Sequence, residues 1–333
     1  MNKLQNLKQI VKNFRDKKIL VVGDLIADVY LDGRISRISR EAPVLILEEV
    51  GKKIVAGGAA NVIANAATLG GKIYAAGITG ADDYAESLIK ILSDFNVDVD
   101  GIVTDKSRPT ISKTRIIAGG RATVSQQIVR IDRESKLPLE REIESALIER
   151  IEKILPKVDG IILSDYGAGT ITDDIKNLLI NYAAEKKIPS MIDSRYRIGA
   201  FKNIGYVKQS DSELAAFMKI EIEDEKTLID AGEKLLKLLD AEGVLITRGE
   251  LGMTLFERDK VSNIPVTDKS EVFDVSGAGD TCVAAFMLAM TAGAFPIESA
   301  RLANYAAGVA VRKLGTATVN SAELLKTLEK FGE

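Results

Sequence analysis

The chain has 333 residues, 46% hydrophobic and 28% charged, with a formal net charge of −3. That composition describes an ordinary globule long enough for one large α/β domain with an insertion, or for two domains, and it offers no global basic field for nucleic acid or an anionic membrane. Histidine is absent and Cys282 is the single cysteine. Ser-His-Asp and Cys-His catalysis, His-ligated metals, thiolate zinc sites and internal disulfides are therefore excluded, and acid–base chemistry falls to Asp, Glu, Lys, Tyr or that cysteine.

Residues 3–15 place Leu4, Leu7, Val11 and Phe14 on one helical face, a polar amphipathic start unlike a signal peptide. Ile19-Leu20-Val21-Val22 is a continuous β-branched run of the kind buried on both faces, ending at Gly23-Asp24. Residues 29–55 then alternate apolar and charged positions with no intervening helix, which predicts antiparallel strands with one wet face. Gly57-Gly58-Ala59-Ala60-Asn61 opens a small-residue helix that ends near Leu69-Gly70-Gly71. Residues 72–78 predict a strand and residues 82–95 a helix. Residues 110–132 are strand-like again, with a turn at Gly119-Gly120.

From residue 140 onward helices and strands alternate. Helices are expected at 140–155, 171–187, 224–240, 280–293, 296–313 and 321–331, buried strands at 160–164, 189–193, 204–208 and 243–247, and a hairpin over 253–273. Such βα alternation implies a mostly parallel sheet covered by helices on both faces. The two antiparallel patches, about 29–56 and 108–133, read economically as one small sheet standing off the main domain as a lid, or else as two unrelated hairpins. The apolar stretch near 281–295 is too short to span a bilayer, and a lone cysteine fits a reducing, cytoplasmic compartment.

The most informative segment is Asp274-Val275-Ser276-Gly277-Ala278-Gly279-Asp280-Thr281. A glycine-rich turn feeding a helix N-terminus is an anion site, because free N–H groups and the positive end of the helix dipole point the same way. A carboxylate there is a poor phosphate ligand and a good base for a hydroxyl that attacks the phosphate. The alternative is an ordinary turn with Asp280 as a helix-capping residue.

Asp274-x-x-Gly277-Ala278-Gly279-Asp280 and Gly57-Gly58-Ala59-Ala60-Asn61, in this order and about two hundred residues apart, resemble the paired signatures of the ribokinase/PfkB carbohydrate kinase family. The resemblance runs over nearly the whole chain, 1–333 as one kinase domain. It implies a ribokinase-like three-layer α/β/α sandwich with a mostly parallel central sheet and a small antiparallel β lid. Within the family the chain is most similar to the kinases of D-glycero-D-manno-heptose 7-phosphate, which act at C1. The shared stretches are Ser36-Arg37-Ile38-Ser39-x-Glu41-Ala42-Pro43-Val44, Gln126-Gln127-x-Val129-Arg130-x-Asp132, Leu163-Ser164-Asp165-Tyr166-Gly167, Ala303-Asn304-x-Ala306-Ala307-Gly308-Val309 and Lys313-Leu314-Gly315-Thr316. Heptose enzymes of this type often carry a fused adenylyltransferase domain. The chain ends soon after the kinase pattern and, without histidine, has no HxGH motif, so a kinase alone is expected.

The resemblance implies an ATP-dependent phosphotransferase that uses Mg2+ and a monovalent cation, with Asp280 as base and the N–H groups of Gly277, Ala278 and Gly279 as anion hole. Asp24, Asp28, Gly57, Gly58, Asn61 and Asp165, at strand ends, would hold the sugar, or act as caps and turn residues. Lys113 and Arg115, with Arg34, Arg37, Arg40 and Arg130, would hold a phosphate on the acceptor or form a solvated face; Arg195 and Arg197 are secondary candidates. Thr247-x-Gly249-x-x-Gly252 resembles the nucleotide-side turn, or is a plain β-turn. Asn304 would lie near adenine, or on a helix surface. Ser210 and Glu213 occupy the family's Asn-x-x-Glu site, with serine replacing asparagine and Glu213 as the ligand of a water-bound metal. Ala168 replaces the lysine usual in the heptose enzymes. Exposed lid edges predict a homodimer. Other acceptors (ribose, a fructose phosphate, a nucleoside) and a non-catalytic sugar- or nucleotide-binding regulator remain open. A dinucleotide oxidoreductase lacks its GxGxxG after the first strand, and a P-loop kinase its GxxxxGK[ST].

Overall fold

The structure, a computed structural model, describes residues 3–119, 125–266, 268 and 271–332. The predicted turn at Gly119-Gly120 lies partly outside them, at Gly120, as do parts of the 253–273 hairpin.

Helix α1 (Lys3–Lys12) leads into β1 (Lys18–Gly23), and β2 (Leu25–Ile38) and β3 (Leu45–Gly58) follow. Next come α2 (Ala59–Thr68), β4 (Lys72–Thr79), α3 (Asp83–Asp94), β5 (Asp98–Thr104), β6 (Ile111–Gly119) and β7 (Gln126–Arg133). The remainder runs α4 (Arg141–Ile154), β8 (Gly160–Asp165), α5 (Asp173–Lys186), β9 (Ser190–Ser194), β10 (Tyr206–Ser210), α6 (Asp211–Met218), α7 (Glu225–Leu239), β11 (Gly243–Thr247), β12 (Met253–Glu257), β13 (Lys260–Ile264), α8 (Ala278–Thr291), α9 (Pro296–Ala310) and α10 (Ser321–Phe331).

Nine strands form the large sheet in the order β13-β12-β11-β10-β9-β8-β1-β4-β5. Its pairings are parallel except β11–β12 and β12–β13, which are antiparallel. Strand β1 shows why its sequence is apolar throughout. Ile19 and Val21 pack into a core with α1, α2, α8, α9 and α10, while Leu20 and Val22 pack into a second core with α4, α5 and α7. Successive side chains on a strand point to opposite faces, and here both faces are covered. Helix α8 is buried from Asp280 to Ala289, which accounts for a sequence apolar on every side.

The two sheet excursions do join. The order of the small sheet is β3-β2-β6-β7, with β2–β3 and β6–β7 antiparallel and β2–β6 parallel. It is rooted in the core, where Leu25–Val29 of β2 are buried, while β7 is exposed along its whole length. Strand β5 and helix α6 are additions to the predicted elements. Strand β5 is an edge strand whose residues alternate too weakly to announce it, and α6, eight residues long, is too short for a helical period to emerge.

Candidate active site

Helix α8 begins at the C-terminal edge of the large sheet. Its N-cap, Gly277, has φ 78°, and a Cβ there would lie 2.6 Å from Asn61 Nδ2, so both the backbone and the space require glycine. No side chain caps this end. The first-turn dipole is thus left to the cavity in front of it. Of the three residues expected to form an anion hole, Ala278 already donates its N–H to Val275 O, at 3.2 Å.

Asp280 sits in that first turn, 7% exposed. Asn61 Nδ2 donates to its Oδ2 at 2.6 Å and the Tyr166 hydroxyl to its Oδ1 at 2.9 Å. The Asn61 amide is itself oriented: Asn65 Nδ2 donates to Asn61 Oδ1 at 3.1 Å, and Thr281 Oγ1 donates to Asn65 Oδ1 at 2.8 Å. Burial pushes the Asp280 carboxyl up to about 6, and the nearby Asp193 charge adds to the rise; the two donated hydrogen bonds and Lys208 oppose it. A carboxylate so placed is a base poised near neutral pH.

Asp280 faces a cavity of about 860 Å³ that Gly277, Ala278 and Gly279 also line. The same cavity takes in Ser210, Glu213, Thr247, Gly249, Gly252 and Asn304, so the nucleotide-side candidates converge on one space. Some of these groups are already bonded. Asn304 Nδ2 donates to Pro265 O at 2.9 Å, and Thr247 Oγ1 to Gln209 O at 3.4 Å. Ser210 and Glu213 form a capping box on α6, with Ser210 N donating to Glu213 Oε2 at 2.8 Å and Glu213 N to Ser210 Oγ at 3.1 Å. Serine is a strong N-cap, which accounts physically for its fit where the family usually has asparagine.

The sugar-side candidates do not line the cavity, and of them Asn61 is the one that bonds to the Asp280 carboxylate among the described residues. Asp24 and Asp165 are both engaged by donors of the protein itself. Asp24 is fully buried, and its carboxylate accepts the backbone N–H groups of Tyr166 (2.8 Å), Ala168 (3.1 Å) and Thr170 (3.1 Å). Asp165 accepts Gly167 N at 3.0 Å and the Ser194 hydroxyl at 2.7 Å. Both carboxylates are taken up in holding the loop after β8, because buried oxygens need donors and the loop supplies them. Asp28, 5% exposed, accepts Arg115 Nη1 at 2.6 Å, and Gly57 packs so closely that a Cβ there would fall 2.5 Å from Asp28 Oδ2. Gly58 caps α2. Lys113 pairs with Asp132 at 3.3 Å.

Sequence reasoning gave no role to the pair at the cavity floor. Lys208 Nζ lies 3.0 Å from Asp193 Oδ2 and 4.0 Å from Glu213 Oε2, with both members of the first pair buried. The two carboxylates keep the ammonium charged against its burial. The available signal was a lysine inside a buried strand, Tyr206-Val207-Lys208-Gln209, since lysine is almost never buried unpaired. Arg195 also lines the cavity, its guanidinium 4.4 Å from the Tyr166 ring centroid.

Among the described residues no cluster of three or more His, Cys, Asp or Glu is arranged to hold a metal ion. Glu213 fits a looser role. Its Oε2 is bonded to Ser210, while Oε1 makes no hydrogen bond among the described residues and the carboxylate borders the cavity. That is the donor chemistry of a hard cation carried mainly by water and phosphate oxygens.

Residues 16–323 match the pfkB family carbohydrate kinase. The chain is 39% identical over 326 residues to the bifunctional protein HldE of Geobacter metallireducens, covering 97% of this chain and 65% of that protein. It is 40% identical over 311 residues to HldE of Geobacter sulfurreducens, covering 93% and 62%. The chain thus spans less than two thirds of the length of these curated relatives. Among solved structures it is similar to Arabidopsis thaliana ribokinase complexed with ribose and ATP, with a TM-score of 0.73, 20% identity and coverage of 94% of this chain and 98% of that one. It is also similar to Escherichia coli phosphofructokinase-2 in complex with substrates and products, with a TM-score of 0.75, 20% identity and coverage of 95% and 100%.

Proposed function

This chain belongs to the pfkB family of carbohydrate kinases, and from that premise we propose that it transfers the γ-phosphoryl group of ATP to a hydroxyl of an already phosphorylated sugar, D-glycero-D-manno-heptose 7-phosphate at C1. That it is an ATP-using sugar kinase follows from the family; the acceptor is our reading. The observation that carries the chemistry is Asp280, fixed by Asn61 and Tyr166 at the uncapped start of α8, on the wall of an 860 Å³ cavity.

In this reading Asp280 takes the proton of the attacking hydroxyl as the new P–O bond forms. The N-terminus of α8 faces the negative charge that shifts toward the leaving oxygen. Lys208, buried and charged, sets an ammonium at the cavity floor, with its charge balanced by Asp193 and Glu213. Glu213 would hold Mg2+ through water, and the ion, when bound, would neutralise the phosphate oxygens.

Support for a phosphorylated acceptor comes from the small sheet. Lys113, Arg115 and Arg130 lie on one face, since Arg115 pairs with Arg130 across β6–β7 and Lys113 sits two residues from Arg115. Two carboxylates, Asp28 and Asp132, face these three cations. Arg bonds phosphate oxygens bidentately. The decisive measurement is ADP release with a panel of neutral and phosphorylated sugars. The heptose 7-phosphate is expected to give the highest kcat/KM; a neutral sugar that beats every sugar phosphate sinks the acceptor assignment.

We also propose a cytoplasmic homodimer formed through the small sheet. Among the described residues no helix is long and apolar enough to cross a membrane. Val129 (46% exposed) and Ile131 (55%) on β7, and Ile38 (64%) and Val50 (66%) on the hairpin, leave apolar surface for a second copy. Sedimentation that shows a monomer at working concentration refutes the dimer.

A further inference from the structure

We infer that Tyr166 is a positioning residue for the reaction: clamped by the loop anchors Asp24 and Asp165 below and by Arg195 above, it holds Asp280 in its ionised, correctly aimed form. The inference rests on the reading of Asp280 as the base and deepens it.

Three observations carry it. The Tyr166 hydroxyl donates to Asp280 Oδ1 at 2.9 Å, and Asn61 occupies the other oxygen. Each carboxylate oxygen has a second lone pair, so the base can still receive an acceptor hydroxyl while both donors stay bonded. The Tyr166 backbone is pinned, because its N–H goes to Asp24 Oδ2 at 2.8 Å and the next N–H, of Gly167, to Asp165 Oδ1 at 3.0 Å. The ring is covered by the Arg195 guanidinium at 4.4 Å, and Arg195 N in turn donates to Asp165 O at 3.1 Å. One continuous set of bonds thus runs from two buried aspartates to the base.

The chemistry gives that set a purpose. A carboxyl removed from water resists ionisation, and a donor aimed at it favours the charged form. The groups facing Asp280 are Asn61 from α2, Tyr166 and Arg195 from the loops after β8 and β9, Asp193 from β9 and Lys208 from β10. Asp193 works against ionisation and Lys208 for it, and these two are paired with each other. The hydrogen bonds of Asn61 and Tyr166, together with the Arg195 charge, therefore favour the ionised form of the base. Tyr166 remains a donor at neutral pH, since burial and the neighbouring Asp280 hold its phenol protonated.

The test is the pH profile of kcat/KM for Tyr166→Phe, which keeps the ring and removes the hydroxyl. The acid limb should move up by about one pH unit, so that the variant loses about fivefold more activity at pH 6 than at pH 8. Fluorotyrosine at position 166, a stronger donor, should move the limb the other way, and it decides the matter if the Phe variant does not fold. An equal loss at every pH, or an unmoved limb with fluorotyrosine, overturns the inference. Asp280→Asn separates the two readings. If it retains parental turnover, the base assignment fails; if it is dead while Tyr166→Phe shows a pH-independent loss, only the role of Tyr166 fails.

Discussion

The two sheets of this molecule are built from opposite physical materials. The large sheet is buried on both faces, and the residues at its C-terminal edge are fixed by short hydrogen bonds among buried polar groups: Asp24, Asn61, Asp165, Lys208, Asp280. The small sheet is buried only at its root; its outer strand β7 is exposed throughout and carries Arg130 and Asp132 in a partly solvated ion pair. Proton transfer needs groups held to a fraction of an ångström, which a dry, close-packed edge provides. Recognition of a charged acceptor needs cations that can exchange partners, which a wet surface provides.

Substitutions on either side sharpen that contrast. The largest loss is expected from Asp280→Asn, which should lower kcat by about 10²–10⁴-fold with little change in nucleotide affinity; steady-state kinetics with isothermal titration of ATP checks both halves. Lys208→Ala should come next. It strands Asp193 without its partner in the interior, which typically costs about 3–5 kcal/mol of stability, measurable by urea unfolding; a loss below 1 kcal/mol contradicts the buried pair. On the small sheet the same kind of change leaves Asp28 without its partner, but with Lys113 still nearby a smaller loss of stability is expected. Arg115→Ala is expected to raise KM for the phosphorylated acceptor by about tenfold, with ATP kinetics unchanged. It also frees Asp28, so an equal rise in KM for a neutral sugar would trace the effect to that carboxylate rather than to phosphate.

A pH titration separates the two regions again. The folded-state value of Asp280, raised from 3.8 to about 6, means that the base is protonated and kcat/KM falls as pH drops through about 6. The Asp132 carboxyl, held below its ordinary value by hydrogen bonds and charge from Arg130 and Lys113, should contribute nothing in that range. A profile flat from pH 5 to 8 breaks the assignment. The smallest effect belongs to surface pairs remote from both regions. Lys90→Ala removes an exposed helix pair with Asp94 and should shift stability by no more than about 0.5 kcal/mol.

Much of this was legible in the sequence, for identifiable reasons. The run Ile19–Val22 betrays a strand covered on both sides, and the Gly277–Asp280 turn betrays a helix start that needs left-handed backbone and an open N-terminus. The small sheet was visible as two alternating stretches, although its parallel β2–β6 seam was not, since strand alternation carries no information on direction. What stayed hidden is long-range. Asp193 and Lys208 meet only because β9 and β10 are neighbours in register. Asp24 looks like a ligand from its position at a strand end. That it accepts three N–H groups from a loop about 140 residues away is a tertiary fact.

Asp24 is also the only residue between β1 and β2, where the chain leaves the large sheet for the small one. Its own N–H goes to Ser164 O at 3.1 Å and its carbonyl accepts Ala59 N at 3.0 Å, so backbone and side chain are bolted at a single point to β8, to α2 and to the loop of Tyr166. At this connection no linker separates the small sheet, proposed to meet the acceptor, from the loop that bonds Asp280, the proposed base. Asp24 is therefore a shared anchor, through which the root of the small sheet and the backbone that carries Tyr166 are tied to one residue.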